Sequence, residues 1–303
     1  MNVLVTGITG YIGSRLASRL QRDGHSVRGF SRHSVAVDGV PVVTGDAITG
    51  DGLARALEGI DVAYFLIHSM EQSIDGAFGV RERAAAENFA FHATAAGVPR
   101  LVYFGGLIPE GGPVSAHLAS RLDVENILHD ADPCTVALRA SIVIGAGSSS
   151  FRFLVRLVER LPVLVVPAWR TNRTSPIDER DVLELLVRAA TNDQLCGQSL
   201  DVGGPDIVTY GELIDRIRHH MLVGRATVGL SRIYATPIAS RVSAVIAGED
   251  HGLIGPLMES LGEDLLPRDN RAAQLLGVRL HSLDAAIEHA LREWEAATPL
   301  SAR

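Results

Sequence analysis

The 303-residue chain contains no lysine, so arginine supplies every side chain in its Lys+Arg count. Schiff-base enzymes, phosphate-binding loops with an essential lysine and tyrosine–lysine proton relays all need an amine whose pKa can be lowered. A guanidinium stays charged and cannot take that role. The absence therefore argues against these chemistries. Richness in arginine and alanine is also typical of a GC-rich genome, which would explain the missing lysine by codon usage.

Cysteine is almost as scarce, because the chain has only Cys134 and Cys196, which lie far apart and lack the spacing of metal ligands. We expect both to be small buried residues in a reducing compartment. The 11 histidines form no His-x-x-x-His pattern. The neighbours His219 and His220 would point to different sides of a helix. The sequence therefore predicts no metal site.

Long apolar runs and an excess of positive charge are also missing. No uninterrupted apolar segment reaches the ~18 residues that a membrane span requires. The first residues have the pattern of a core strand, which is unlike a targeting peptide. A formal net charge of −7 argues against nucleic acid, because phosphate binding needs a concentrated basic face. We expect a cytoplasmic protein that has neither nucleic acid nor a membrane as its partner.

The first 24 residues carry the most informative motif that is present. An apolar strand at 2–5 leads into Thr6-Gly7-Ile8-Thr9-Gly10-Tyr11-Ile12-Gly13, and the amphipathic helix that follows ends near Gly24. The first glycine allows a tight turn, the second lets the backbone approach a pyrophosphate, and the third brings helix and strand together. The free N–H groups of the helix then face the phosphates. This pattern predicts a dinucleotide site; the alternative is a tight strand–helix turn whose small residues serve packing.

Strand and helix signals alternate through the first half, which is typical of a parallel sheet with helices on both faces. The predicted strands are 2–5, 25–31, 41–44, 62–67, 101–104, 135–140 and 200–202, and the predicted helices between them are 51–58, 79–96 and 115–129. We predict an α/β fold, a Rossmann doubly wound parallel sheet with a smaller, mostly helical C-terminal substrate lobe. The core is expected at 1–148 with return segments at about 174–205, and the lobe at 149–173 and 206–303, with helices near 151–161, 206–223, 228–262 and 282–297.

The end of the second strand distinguishes the two nicotinamide cofactors. An acidic side chain there would bind the adenosine ribose, whereas arginine beside serine favours a 2′-phosphate. The chain has Ser31-Arg32-His33 and no acidic residue from Gly24 to Val37, so we expect NADP (NADPH). The alternative for Arg32 is a solvated charge at the strand end. Asp46, after the third strand, would accept from the adenine amino group or cap the next helix.

Further segments repeat a pattern seen in one protein family. They include Gly45-Asp46, the strand from Ala63 to Ser69, Tyr103 to Leu107, His117-Leu118-x-Ser120-Arg121, Leu138 to Ser141, Arg180-Asp181-Val182 and Pro256 to Leu261. With the glycine motif, they resemble the short-chain dehydrogenase/reductase superfamily, in its extended and atypical NmrA-like branch of NAD(P)H-binding reductases. The resemblance implies cofactor contacts from Thr6, Gly7, Thr9, Gly10, Tyr11, Ile12, Gly13, Ser31, Arg32, Asp46, Ala47, Leu66, Ile67, His68, Phe104, Gly105, Arg121 and Ala140.

The catalytic positions of that superfamily are altered in this chain. Its members usually hold a serine at the end of the fifth strand and a Tyr-x-x-x-Lys on the next helix. Here Gly105 or Gly106 takes the serine position, and His117 and Arg121 align with the tyrosine and lysine. His117 is the candidate general acid, with a pKa near neutrality, and Arg121 would donate to the nicotinamide ribose. The alternatives are a helix-face histidine bonded to a carbonyl and an ion pair of Arg121 with Glu125.

Three functions remain open. The first is an NADPH-dependent reductase that transfers hydride to an apolar carbonyl, quinone or conjugated enone, so that its partner is a small apolar or aromatic substrate. Phe151, Phe153, Trp169, Ile233 and Met258 would line its pocket or belong to the core. The second is a non-catalytic NADP(H)-binding redox sensor that acts through a protein partner. The third is a sugar-nucleotide epimerase or dehydratase, which depends most on the missing tyrosine. A homodimer is an assembly that the sequence leaves open.

Overall fold

A seven-stranded sheet, in which every strand pairs in parallel, forms the centre of the protein. The computed structural model describes residues 1–34, 37, 39–68, 78–109, 114–131, 134–160, 164–166, 168–224, 227–229 and 261–297. The sheet strands are β1 (Asn2–Thr6), β2 (Ser26–Ser31), β3 (Val42–Thr44), β4 (Val62–Phe65), β5 (Arg100–Gly106), β6 (Val136–Ala140) and β11 (Ser199–Val202). Their order is β11-β6-β5-β4-β1-β2-β3. From β1 the chain builds the sheet outward through β2 and β3 to one edge, and it then returns to place β4 on the other side of β1. The carboxyl ends of β1 and β4 therefore flank the crevice where doubly wound folds bind ligands.

Helices cover both faces of this sheet because side chains alternate along its strands. Val3 and Val5 point to one face and pack with the helices α1 (Tyr11–Arg22) and α6 (Glu179–Ala189), whereas Leu4 points to the other face. That second face is covered by α2 (Leu53–Leu57), α3 (Phe78–Ala95) and α4 (Ala116–Ala131). The predicted α/β doubly wound fold is confirmed, and the predicted sheet strands agree with the observed ones within two residues.

A separate hydrophobic cluster lies beyond the sheet. Its helices are α5 (Ser149–Arg160), α7 (Tyr210–His220) and α9 (Leu283–Ala297). The short helix α8 (Arg271–Leu275) instead packs on the core that contains Val3 and Val5. Three short strand pairs accompany them: β7 (Val143–Ile144) with β10 (Ile177–Asp178), β9 (Arg173–Thr174) with β12 (Val208–Thr209), and β8 (Leu164–Val166) with β13 (Thr227–Gly229). None of the helices in the described ranges is long and apolar enough to cross a bilayer.

Two expectations change in this part of the chain. The helix predicted over 228–262 lies mostly outside the described residues, and at its start Thr227–Gly229 forms a strand beside β8. The segment 271–275 forms a helix that the sequence pattern did not predict. Both segments are short, and their structure depends on a neighbouring element, which local periodicity does not report.

The two cysteines do not remain separate thiols. Cys134 and Cys196 form a disulfide, with their Cα atoms 4.1 Å apart. The reason is the register of the sheet: β6 and β11 pair with Ala137 opposite Ser199, and each cysteine lies three residues before its member of that pair. The prediction of independent buried thiols was therefore wrong, and the cysteines no longer argue for a reducing compartment.

Candidate functional site

The glycine motif forms a tight turn against the end of β4. Gly7 has φ +64°, and a Cβ atom there would lie 2.5 Å from the carbonyl oxygen of Leu66. A Cβ atom on Gly13 would lie 2.3 Å from the carbonyl oxygen of Gly7. Helix α1 therefore approaches the strand as closely as the sequence predicts for a cofactor-binding turn.

Thr6 holds the two strand ends together. Its hydroxyl donates to the carbonyl oxygen of Tyr64 at 2.9 Å and accepts from the amide of Leu66 at 3.1 Å. The side chain is fully buried. Thr6 therefore fixes the relative position of the glycine turn and of the segment after β4, and its side chain does not line the cavity described below.

The N-terminus of α1 carries no competing anion. Gly10 is the N-cap and has no side chain to accept from the first amides, and the first turn contains no acidic residue. The Tyr11 side chain lies beneath the Arg15 guanidinium, whose Cζ is 4.8 Å from the ring centroid, and it contacts Gly147. The Tyr11 ring is thus turned toward Arg15 and Gly147, and the end of the helix suits a phosphate group.

A cavity of about 270 Å³ opens at the carboxyl ends of β1, β2 and β4. Ten of the residues predicted to bind the cofactor line it: Gly7, Thr9, Gly10, Ser31, Arg32, Asp46, Ala47, Leu66, Ile67 and His68. Four residues that the sequence reasoning missed join them: Phe30, His33, Ile48 and Ala85. The other predicted contacts do not line it: Thr6, Tyr11, Ile12, Gly13, Phe104, Gly105, Arg121 and Ala140.

One wall of the cavity carries the side chains expected at the adenosine end. Arg32 and His33 are exposed and follow directly after β2. Asp46 accepts from the Ile48 amide through Oδ1 at 2.9 Å, so it caps this turn instead of α2, whose N-cap is Gly52. The loop is further held by Asn88, whose side-chain amide donates to the carbonyl oxygens of Ala47 and Ile48 at 3.1 and 2.8 Å.

A second polar group lies where β4 ends. Arg121 on α4 donates from Nη1 to Nδ1 of His68. Its Nη2 lies 3.3 Å from Oε1 of Glu82 on α3, and the Ser120 hydroxyl donates to Oε2 of the same carboxylate at 2.6 Å. The alternative considered for Arg121, an ion pair with Glu125, is not observed, because Arg139 donates to both oxygens of Glu125.

The positive charge of Arg121 changes the titration of both nearby histidines. Burial, and next the charge of Arg121, lower the pKa of His117 to about 4. The pKa of His68 also falls well below its usual range, because the surrounding protein disfavours the imidazolium and Arg121 repels it. His68 is nevertheless accessible to solvent, because it lines the cavity. The expectation that His117 titrates near neutrality is therefore wrong, since both rings are neutral at pH 7.

Glu82 is a functional candidate that the sequence reasoning missed. It lies on the same face of α3 as the buried Ala86, Phe89 and Ala93, and its side chain is itself buried. An acidic residue on an otherwise apolar helix face signals a buried partner. The partner could not be read from the sequence, because Arg121 belongs to a different helix.

The aromatic residues proposed as pocket walls lie elsewhere. Phe151, Phe153 and Trp169 are buried in the hydrophobic cluster around α5, α7 and α9. Ile233 and Met258 lie outside the described residues. These three aromatic residues therefore belong to a hydrophobic core, which was the alternative to a place in the pocket wall.

The residues of the cavity fit a nicotinamide dinucleotide. The turn leaves no room for side chains at Gly7 and Gly13, the end of α1 is free of acids, and an arginine stands at the end of β2. A family of NAD(P)H-binding domains matches residues 7–141. With the relatives described next, this shows that the chain belongs to the extended short-chain dehydrogenase/reductase family of NAD(P)-binding Rossmann-fold oxidoreductases.

Similar proteins include lipid and steroid enzymes. A ceramide reductase from Caulobacter vibrioides is 31% identical over 228 residues, which cover 72% of this chain and 70% of the relative. A 3-beta-hydroxysteroid dehydrogenase from Mycolicibacterium neoaurum is 38% identical over 65 residues, 20% of this chain and 18% of that protein.

Solved structures share the fold at low identity. The Bordetella bronchiseptica enzyme WbmH in complex with NAD+ has a TM-score of 0.71 at 18% identity, and the similarity covers 97% of this chain and 98% of WbmH. A UDP-glucose 4-epimerase from Thermotoga maritima has a TM-score of 0.76 at 13% identity, with 98% and 99% covered. At these identities the similarity concerns the fold alone.

Proposed function

We propose that the protein is an NADPH-dependent oxidoreductase that transfers hydride to an apolar carbonyl, quinone or conjugated enone. The observation that carries this proposal is that one cavity, where the strand order reverses between β1 and β4, is lined by three segments. These are the glycine turn, Arg32 directly after β2, and the residues up to His68 that follow β4. When bound, the reduced nicotinamide would supply the hydride. The preference for the phosphorylated cofactor rests on Arg32, beside Ser31 and His33, because a guanidinium matches a 2′-phosphate.

The charge around Arg121 supports a reduction without a strong acid. Hydride transfer places negative charge on the acceptor, and a fixed cation with nearby N–H donors stabilises such charge. Arg121 supplies the cation, and the neutral His68 and His117 supply N–H groups. Quinones and enones delocalise the arriving charge, so that water can complete protonation later. His117 stays the candidate proton donor; as a neutral imidazole it would give up its N–H proton to the acceptor and recover a proton from water.

Two relatives support an apolar substrate. One is named a ceramide reductase and the other a steroid dehydrogenase, and both names refer to apolar lipids. The sugar-nucleotide enzymes among the solved structures are similar in fold only. An epimerase or dehydratase is therefore the less favoured reading, because the tyrosine base on which such reactions depend is replaced by His117.

Oxidation of NADPH by the purified protein tests the proposal. We expect turnover with members of a panel of quinones, enones, aromatic ketones and long-chain ketones. The matched control is Gly7→Ala, whose Cβ would meet the Leu66 carbonyl oxygen, so that the cofactor turn is lost. Tight NADPH binding without turnover on any acceptor would contradict the reductase.

That outcome would favour the second candidate, a non-catalytic NADP(H)-binding redox sensor that acts through a protein partner. The observation behind it is the replacement of all three usual catalytic residues, together with a His117 that carries no imidazolium proton at pH 7. A sensor would bind NADPH and NADP⁺ with different affinities and present a different surface in the two states.

A further inference from the structure

The His68 ring contacts the Arg121 guanidinium through Nδ1. A guanidinium has five N–H donors and no acceptor, so Nδ1 must be the accepting nitrogen. In a neutral imidazole the proton then resides on Nε2. With Nδ1 engaged by Arg121, Nε2–H is the remaining polar group of a ring that lines the cofactor cavity.

The guanidinium is itself held in place from the other side. Glu82 lies 3.3 Å from Nη2 of Arg121, and the Ser120 hydroxyl, on the neighbouring residue of α4, donates to the same carboxylate. Glu82 and Arg121 expose only 3% and 5% of their surface. The guanidinium has only N–H groups to offer to Glu82 and to His68, so the direction of its contact with Nδ1 of His68 is fixed.

We infer that Glu82 and Arg121 are positioning residues that fix His68 as an Nε2–H donor to an oxygen of the bound dinucleotide. The opposite tautomer would turn a lone pair toward the same oxygen and repel it. A histidine held in this way donates one hydrogen bond without bringing a charge, and the positive charge stays on Arg121. The inference rests on the proposed dinucleotide function for its ligand, but not for the tautomer.

The tautomer is tested first, on the free protein at pH 7. Long-range ¹H–¹⁵N spectra of protein with labelled histidine distinguish the two tautomers, and His68→Gln identifies the signal of His68 by its loss. We expect the Nε2–H form. The Arg121→Met variant should give a mixture of tautomers, whereas Arg83→Met, an exposed arginine next to Glu82 in sequence, should leave the signal unchanged. An Nδ1–H signal in the parent protein would overturn the inference while leaving the reductase proposal intact.

The donor role is tested by two amide variants with NADPH as the ligand. In His68→Gln the side-chain amide can reach the place of Nε2, whereas in His68→Asn it reaches only the place of Nδ1. We expect the first to keep the NADPH dissociation constant within about 2-fold and the second to raise it about 5- to 10-fold, as loss of one hydrogen bond does. Equal dissociation constants would overturn the donor role.

The positioning role of Glu82 is tested by the His68 tautomer ratio, which a general loss of stability would not change. Glu82→Gln keeps the shape and a side-chain oxygen but removes the charge, and Arg121→Gln, whose amide can accept as well as donate, serves if Arg121→Met does not fold. We expect both to shift the His68 tautomer ratio while thermal unfolding stays cooperative. An unchanged Nε2–H signal in both variants would overturn the positioning role. A protein that binds no NADPH, yet shows the Nε2–H form, would overturn the dinucleotide function and the donor role together.

Discussion

Arg121 and Glu82 form an ion pair across α3 and α4, at 3.3 Å, and both side chains are almost completely buried. Removal of one partner leaves an uncompensated charge away from water. We expect Arg121→Met to lower the free energy of unfolding by about 3–5 kcal/mol. The double variant with Glu82→Leu should recover much of this loss, because no charge remains buried. Urea unfolding measures both, and a single-variant loss below about 1 kcal/mol would show that the pair is solvated.

Arg32 provides a test of cofactor preference. Loss of a charge-assisted hydrogen bond typically costs about 1.5–3 kcal/mol, so Arg32→Ala should raise the NADPH dissociation constant about 10- to 100-fold. The NADH constant should change little, because NADH lacks the 2′-phosphate. Fluorescence titration measures both constants, and Arg22→Ala, an exposed arginine at the end of α1, is the control. Equal weakening of the two cofactors would contradict the role of Arg32.

His117 should act without titrating near neutrality. Since burial and Arg121 lower the pKa of His117 to about 4, we expect the rate of reduction to stay level between about pH 5.5 and 8. His117→Ala should slow carbonyl reduction by about 10²-fold, within the range for proton donors. His25→Ala, in the turn before β2, is the control. A tenfold fall in rate with each pH unit above 5 would instead identify the imidazolium as the acid.

The same shift predicts a stability effect in acid. The unfolded chain binds a proton at His117 near pH 6.5, whereas the folded chain does so only near pH 4. Stability should therefore fall as the pH decreases through this window. The fall should be smaller in His117→Asn, as urea unfolding at several pH values can measure; an identical slope in both proteins would contradict the lowered pKa.

The sequence allowed the sheet and the nucleotide turn to be predicted because both depend on local patterns. Successive side chains of a strand point to opposite faces of the sheet, so Val3 and Leu4 lie on different faces, and the requirement for glycine at position 13 follows from a backbone contact with Gly7 in the same turn. Ten predicted cofactor residues line one cavity because parallel strands bring their carboxyl ends to one edge of the sheet, and the family resemblance indicated the positions after β4.

Contacts between distant elements were not predictable in this way. The spacing of four residues suggested Glu125 as the partner of Arg121, but helix packing brings Glu82 to it and Arg139 to Glu125. The pairing of Cys134 with Cys196 depends on the register of β6 and β11. The low pKa of His117 depends on burial, which spacing does not reveal.

Gly13 tests the turn without touching a charged group. A methyl group there would lie 2.3 Å from the Gly7 carbonyl oxygen, so either α1 or the turn must move. We expect Gly13→Ala to raise the NADPH dissociation constant more than tenfold and to lower the melting temperature. Gly224→Ala is the control, because nothing lies within 4 Å of its added Cβ. If Gly13→Ala binds NADPH as the parent protein does, the phosphates do not lie on this turn.

Glu179 connects the sheet core to the helical lobe and predicts a pH dependence of the opposite sign. Its Oε1 lies 2.8 Å from Nη1 of Arg15, and Arg15 also contacts Glu293 on α9. Burial, and next Glu293, raise the pKa of Glu179 to about 8, against the opposing charge of Arg180. The folded chain therefore holds a proton that the unfolded chain releases near pH 4.5. Stability should fall as the pH rises from about 5 to 8.

This fall in stability should be absent in Glu179→Gln and retained in Glu288→Gln, whose exposed carboxylate pairs with Arg292. If unfolding in urea gives the same slope for Glu179→Gln and the parent protein, Glu179 is ionised in the folded state.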